Sequence, residues 1–223
     1  MNYEFQFDAV FAAWPLLLRG TWITIQLSAL AMIFGLCVAI LCAWAKTAGP
    51  APLRWLVNAY VELIRNTPFL VQLFFIFFAL PAIGLRLSAP TAALIAMTVN
   101  LGAYATEIIR AGIESIPKGQ IEAGLALSLK RHEIFRFVIL KPALRAIFPA
   151  LASQFILLML SSSVVSVISA DDLTSVAATL QSQTFRSFEI YIVITVIYLA
   201  LALAFSAVFR LTYQRTFDYP DRR

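Results

Sequence analysis

Long, almost uninterrupted runs of apolar positions alternate along this chain with short polar connections, and one longer charged interval breaks the rhythm between residues 107 and 149. Roughly 18 or more mostly apolar residues suffice to cross a hydrocarbon core about 30 Å thick as a helix rising 1.5 Å per residue. Five such stretches occur, at 21–44, 53–80, 91–113, 143–168 and 190–209. The runs are continuous, as in Leu199-Ala-Leu-Ala-Leu-Ala-Phe205, whereas the strands of a membrane barrel alternate polar and apolar positions in segments of about ten residues. The pattern therefore predicts an all-α membrane protein, a five-transmembrane-helix bundle.

Within the charged interval, Ser115-Ile-Pro117 has the capping side chain and proline of a helix start after the third span. Beyond it Ile121, Leu125 and Leu129 recur every four residues. That spacing predicts an amphipathic helix, placed to lay its apolar face into a groove on another protein, on the lipid surface or beneath its own bundle. Residues 2–19, with Phe5, Phe7, Phe11 and Trp14, suit a short helix at the headgroup boundary. Turns are expected at 47–52 and 81–84, where proline and glycine concentrate.

Composition strengthens the membrane assignment: 61% of residues are hydrophobic, only 13% are charged, and the mean hydropathy is +0.84, against about 25% charged in soluble domains. No linker, repeat or low-complexity tract divides the chain, so residues 1–223 are expected to form a single transmembrane domain with a cytoplasmic loop over 114–142. Basic residues set the orientation. Lys46 and Arg54 follow the first span, Arg110, Lys118, Lys130, Arg131, Arg136, Lys141 and Arg145 lie between the third and fourth, and Arg210, Arg215, Arg222 and Arg223 follow the fifth. The opposite connections carry only Arg86 and Arg186. The expected topology puts the N-terminus outside and the C-terminus in the cytoplasm, and this asymmetry explains the net charge of +5 without a nucleic-acid partner. The acidic start, Met1-Asn-Tyr-Glu-Phe-Gln-Phe-Asp8, lacks the positive charge of a secretory signal, so the first span is expected to be retained.

Catalytic chemistry has little support. His132 lies in the cytoplasmic loop, on the far side of the bundle from Ser161, Ser162 and Ser163, which argues against a serine hydrolase. One histidine without clustered carboxylates makes no metal site. Cys37 and Cys42 fall five residues apart on different faces of one helix and read as small packing residues. Polar residues inside spans are candidates for lining a watery path, because lipid receives them at high cost: Gln154, Asn100, Gln72, Glu107, Ser162 and Ser163. Gln154 is foremost, since a mid-span amide both donates and accepts; the alternative for each is a hydrogen bond between helices. Glu62 and Arg65, three apart, are placed to pair, Thr67-Pro68 to kink the second span, and Asp171-Asp172 to cap a helix or contact a binding protein.

Several blocks together resemble the polar amino acid permeases of ATP-binding-cassette (ABC) importers. They are Leu18-Arg-Gly-Thr-Trp-Ile-Thr-Ile-Gln-Leu-Ser28, Tyr60-Val-Glu-Leu-Ile-Arg-Asn-Thr-Pro-Phe-Leu-Val-Gln-Leu-Phe-Phe75, Gly102-Ala-Tyr-Ala-Thr-Glu-Ile-Ile-Arg-Ala-Gly-Ile-Glu-Ser-Ile-Pro-Lys-Gly-Gln-Ile-Glu-Ala123, Pro149-Ala-Leu-Ala-Ser-Gln-Phe155 and Ser163-Val-Val-Ser-Val-Ile168. Glu122, Ala123 and Gly124 stand where the family has its Glu-Ala-Ala loop. The resemblance implies the type I importer permease fold and a short helix, comprising Lys118, Gly119, Gln120, Glu122, Ala123, Gly124, Leu125 and Ser128, that docks in a cleft of a cytoplasmic ATPase. It further implies a non-catalytic chain in the bacterial inner membrane. Its partners would be an ATP-binding subunit in two copies, holding ATP and magnesium, a second permease chain, identical or paralogous, and a periplasmic or tethered solute-binding protein. Three positions depart from the family pattern: Ser128 stands for the motif's usual glycine, Lys141 for a usual proline with Pro142 one place later, and Leu160 for a common lysine. A channel or secondary transporter shares the composition, but it has no need of this loop, and neither an inverted repeat nor a glycine-rich filter is evident.

Overall fold

A computed structural model describes residues 4–217. Met1, Asn2 and Tyr3 of the acidic start, and Arg222 and Arg223 of the basic tail, lie outside the described residues. The elements are helical throughout this range: α1 (Asp8–Ala12), α2 (Trp14–Ala48), α3 (Ala51–Arg65), α4 (Phe69–Phe74), α5 (Ala89–Glu114), α6 (Lys118–Ala126), α7 (Arg131–Glu133), α8 (Leu140–Ser161), α9 (Leu173–Thr184) and α10 (Ser187–Phe217). Among the described residues, four helical stretches are long and apolar enough to span a bilayer, and the bent pair of α3 with Phe69–Ile83, taken as one span, brings the number to five.

Alanine and glycine bring the central helices together. Ala31 and Ala39 of α2 face Ala92, Ala93, Ala96 and Ala105 of α5 in one buried cluster, into which α8 sends Ile147, Leu151 and Leu158. Small side chains let helix backbones approach, and van der Waals contact then drives association where lipid offers no hydrophobic gradient. Gly35 shows how close the approach is: a methyl group there would lie 2.8 Å from the Leu101 Cδ2 atom. A second cluster, with Val10, Leu17, Leu173, Leu180 and Ile190, ties α1 and the start of α2 to α9 and α10.

Four boundaries differ from those the hydropathy pattern predicts. The first span begins at Trp14 rather than residue 21, so the N-terminal interfacial helix shrinks to α1. The second, expected as one helix over 53–80, is two pieces bent by 111°. Pro68 donates no amide hydrogen, and the carbonyls freed at the end of α3 are taken up by side chains: Thr67 Oγ1 donates to Leu63 O (2.8 Å) and Gln72 Nε2 to Ile64 O (2.7 Å), while Glu62 O keeps its backbone donor, Asn66 N (3.1 Å), and also accepts from Asn66 Nδ2 (2.8 Å). Helical structure resumes at Arg131 inside the expected loop and continues to Ile168. Between Ser169 and Glu189, a connection in which the Asp171-Asp172 pair is placed to cap a helix, stands α9, begun by a capping box in which Asp172 Oδ1 accepts from Ser175 N at 2.8 Å.

Two π-helical turns, Phe75–Ala79 and Ile134–Ile139, each run into a proline, Pro81 and Pro142. A proline nitrogen leaves one carbonyl of the preceding turn without its regular donor, and the wider turn redistributes the neighbouring bonds. Expected pairing of Glu62 with Arg65 does not form: Asn66 Nδ2 donates to Glu62 Oε2 at 2.9 Å, and the Arg65 guanidinium sits 5.5 Å from the centre of the Tyr104 ring.

Candidate functional site

Helix α6 stands between the ends of α5 and the Arg131–Ile168 stretch, and its seating explains which residues it presents. Ile116, buried at the turn before it, and Gly124, buried within it, hold it to its own chain. A methyl group on Gly124 would lie 3.1 Å from Ile134 Cγ1, so the α6 backbone rests almost directly on that isoleucine. Ile121, half-buried, shares this inner face, while Lys118, Gly119, Gln120, Glu122, Ala123 and Leu125 are exposed. Around Gly119 there is open space where a side chain would begin.

The predicted apolar stripe of Ile121, Leu125 and Leu129 is not one helical face, because α6 ends at Ala126. Leu129 lies past a Schellman turn: Leu129 N donates to Gly124 O at 3.1 Å and Ser128 N to Leu125 O at 2.9 Å. The exposed apolar side chains at this end are Leu125 and Leu127, 54% and 76% accessible. At the centre of the turn Ser128 adopts φ +60°, a left-handed conformation that glycine takes without steric cost. That is a physical reason for glycine at this position, and serine keeps the turn at some strain. Ser115, expected to cap α6, instead donates its hydroxyl to Gly112 O at 2.8 Å and so closes α5; Pro117 precedes α6 with no side-chain cap.

Just before α6, four charged residues form a ladder. Lys46 at the end of α2 pairs with Glu107 of α5, Arg110 donates to Glu107 Oε2 through Nη2 at 2.8 Å and Nε at 3.1 Å, and Arg110 also pairs with Glu114. Glu107, expected from the sequence among the candidates for lining a watery path, is instead engaged at the root of the loop by two cations, Arg110 one turn along the same helix and Lys46 distant in sequence.

The candidate path residues separate into two groups. Gln72 is buried and saturated: its amide nitrogen also donates to Thr67 O (3.0 Å) and Thr67 Oγ1 (2.9 Å), and its oxygen accepts from Asn100 Nδ2 (2.9 Å). Gln72 and Asn100 thus brace the bend in the second span against α5. The Ser162 hydroxyl donates to Met159 O at 2.7 Å and that of Ser163 to Leu160 O at 2.8 Å, each within its own helical stretch. Gln154 differs. It is half-buried in α8, its amide has no partner among the described residues, and it shares a face with exposed Ala150 and Leu157 and half-buried Ser161. Leu160, at the position of the usual lysine, is also exposed on α8.

Residues 13–218 match the sequence profile of a family described as "Binding-protein-dependent transport system inner membrane component". The chain belongs to that family. It is similar to the glutamine transport system permease protein GlnP of Escherichia coli (strain K12), with 38% identity over 213 residues, 93% of this chain and 95% of that protein. The L-cystine transport system permease protein TcyB of Bacillus subtilis (strain 168) is 44% identical over 153 residues, 69% of this chain and 65% of that one. The crystal structure of an amino acid ABC transporter with histidines superposes with a TM-score of 0.90 at 37% identity, covering 96% of this chain and 100% of the other. Family and fold agree: a multi-pass inner-membrane permease subunit with the type I ABC importer permease fold.

Proposed function

We propose that this permease subunit forms half of the translocation path of an ATP-driven importer for polar amino acids. It pairs with a second permease chain, identical or paralogous, on two copies of a cytoplasmic ATP-binding subunit, and receives substrate from a periplasmic or tethered solute-binding protein. The chain, one transmembrane permease domain, contributes no catalytic group; ATP and magnesium belong to the ATP-binding partner. The C-terminus and α6 face the cytoplasm and the N-terminus faces outside, in keeping with the basic residues around α6 and after α10.

The observation that carries this reading is α6 itself, packed on Ile134 through Gly124 and open on the face of Lys118, Gly119, Glu122 and Ala123. Rigidly seated between two spans, such a helix transmits a displacement of a docked partner as a tilt of both. Glu122 and Ala123 meet the ATPase, Gln120, Leu125 and Ser128 form the edge of the contact, and Gln154 faces the path between the two permease chains, where its unpaired amide is free to bind an amino acid's amine or carboxylate.

Affinity purification of the tagged chain from its native membranes, followed by mass spectrometry, tests the assembly. Wild type is expected to bring down a nucleotide-binding subunit, and Glu122→Lys to lose it while remaining inserted. Absence of any ATPase from the wild-type sample, or its full retention by Glu122→Lys, contradicts the reading.

A further inference from the structure

At the end of the bundle from which α6 emerges, a cavity of about 640 Å³ opens between α2, α5, α8 and α10, lined by Leu41, Trp44, Ile113, Leu140, Phe148 and Phe209 among others. Its size falls in the range of roughly 300–1,000 Å³ typical of sites that enclose small ligands. Thr47 is the sole hydroxyl-bearing residue of its wall, so water entering it would forfeit hydrogen bonds. The cavity is not sealed: Leu41, Trp44 and Leu140 are exposed at its margin.

A smaller cavity of about 230 Å³ adjoins it, sharing Phe148, Ala152 and Phe209, and has a different wall: Ser153, Ser206, Tyr213 and Arg210. Arg210 ends the apolar run of α10 and has no carboxylate partner among the described residues. An apolar chamber joined to a cationic, hydroxyl-bearing mouth, at the depth where the apolar run stops, matches an amphiphile with an anionic head. A bilayer supplies that molecule at that depth.

We propose that the paired cavities form a binding site for one anionic phospholipid, with an acyl chain between Trp44, Phe148 and Phe209 and the headgroup phosphate on Arg210. A guanidinium matches phosphate geometry with two parallel donors and is weakly hydrated enough to work at the membrane boundary. The site lies against α5 and α8, the two helices that flank α6, so its occupant packs against the spans that α6 moves. The assignment rests on family membership as an inner-membrane component and is independent of which solute is carried.

The test is native mass spectrometry of the complete complex, extracted from native membranes in mild detergent, with phosphatidylglycerol and phosphatidylethanolamine quantified. Wild type is expected to retain one phospholipid per permease chain, enriched in phosphatidylglycerol over its membrane share. Ala152→Trp, which fills the junction of the two cavities, should lose it; Arg210→Glu should lose the enrichment; and Leu63→Trp, at an exposed position of α3, which lines neither cavity, should change neither. Circular dichroism and retention of the co-purifying subunits establish that each variant is folded, and if Ala152→Trp is not, Arg210→Glu alone decides. Retention of the lipid by folded Ala152→Trp, unchanged enrichment in Arg210→Glu, or photo-cross-linking from position 41 to a second protein chain instead of lipid overturns the proposal.

Discussion

Ser128 holds φ +60° in the turn that ends α6, a conformation costing a residue with a Cβ roughly 1–2 kcal/mol. Ser128→Gly relieves most of that strain at some cost in unfolded-chain entropy. Net stabilisation of up to about 1 kcal/mol is expected, read as amide exchange across α6 slowed by a factor of up to about five; unchanged or faster exchange would show the turn to be unstrained. Asp172 provides a second single-residue test. Its carboxyl is fully buried at the start of α9, with Tyr198 OH donating to Oδ2 at 3.4 Å, and burial pushes it up to about 6 despite the capping bonds. Because the folded state then holds a proton that the unfolded state has released, stability is greatest below about pH 4, falls as pH rises toward 6, and is flat above. The total loss is on the order of 2–3 kcal/mol. Asparagine keeps the cap without the charge, so Asp172→Asn should abolish that slope in thermal unfolding scans from pH 4 to 8 and match or exceed wild type at pH 7.

At the level of elements, close helix crossings are the features most exposed to substitution. A methyl group on Gly112 would come within 2.1 Å of Ile147 Cγ2 where α5 crosses α8, whereas one on Gly119 meets nothing within 4 Å. Gly112→Ala should therefore lower the melting temperature of the purified chain, through overpacking worth about 1–3 kcal/mol. Gly119→Ala should leave it unchanged or raise it, by helix propensity; equal effects would contradict the packing described. The sequence made the spans legible because each carries a continuous apolar run, and it made the Thr67-Pro68 bend legible because proline lacks a donor. The bend's size was not legible: it depends on Gln72 reaching back eight residues to Ile64 O. Helix α9 was legible only as its cap at Asp171-Asp172, and its length and seating were not, for a related reason. Its serines and threonines read as a loop, and what seats it is distant, with Leu173 N donating to Thr24 Oγ1 at 3.1 Å and the α9 backbone lying against Gly20. The stripe assigned to α6 misled because spacing alone does not reveal that the helix stops at Ala126.

Across the whole molecule, the outer cluster of α1, α9 and α10 and the central packing of α2, α5 and α8 leave α6 projecting from the opposite end of α5. The ladder from Lys46 through Glu107 and Arg110 to Glu114 joins α2 to the base of that projection, so a push on α6 reaches two spans directly through α5 and the Arg131–Ile168 stretch and a third through an ion pair. Family membership was legible because motif residues are spread along most of the chain; the ladder was not, since Lys46 meets Glu107 only in the folded bundle. The central claim is that the exposed face of α6 carries the work of ATP hydrolysis into these spans. The most direct test is ATP-driven amino acid uptake by the complete assembly reconstituted in liposomes, comparing wild type with Ala123→Trp, which blocks that face without touching the core. The account predicts uptake reduced by about tenfold or more, the consequence of losing little more than 1 kcal/mol of docking, with the chain still inserted; uptake at the wild-type rate would contradict it.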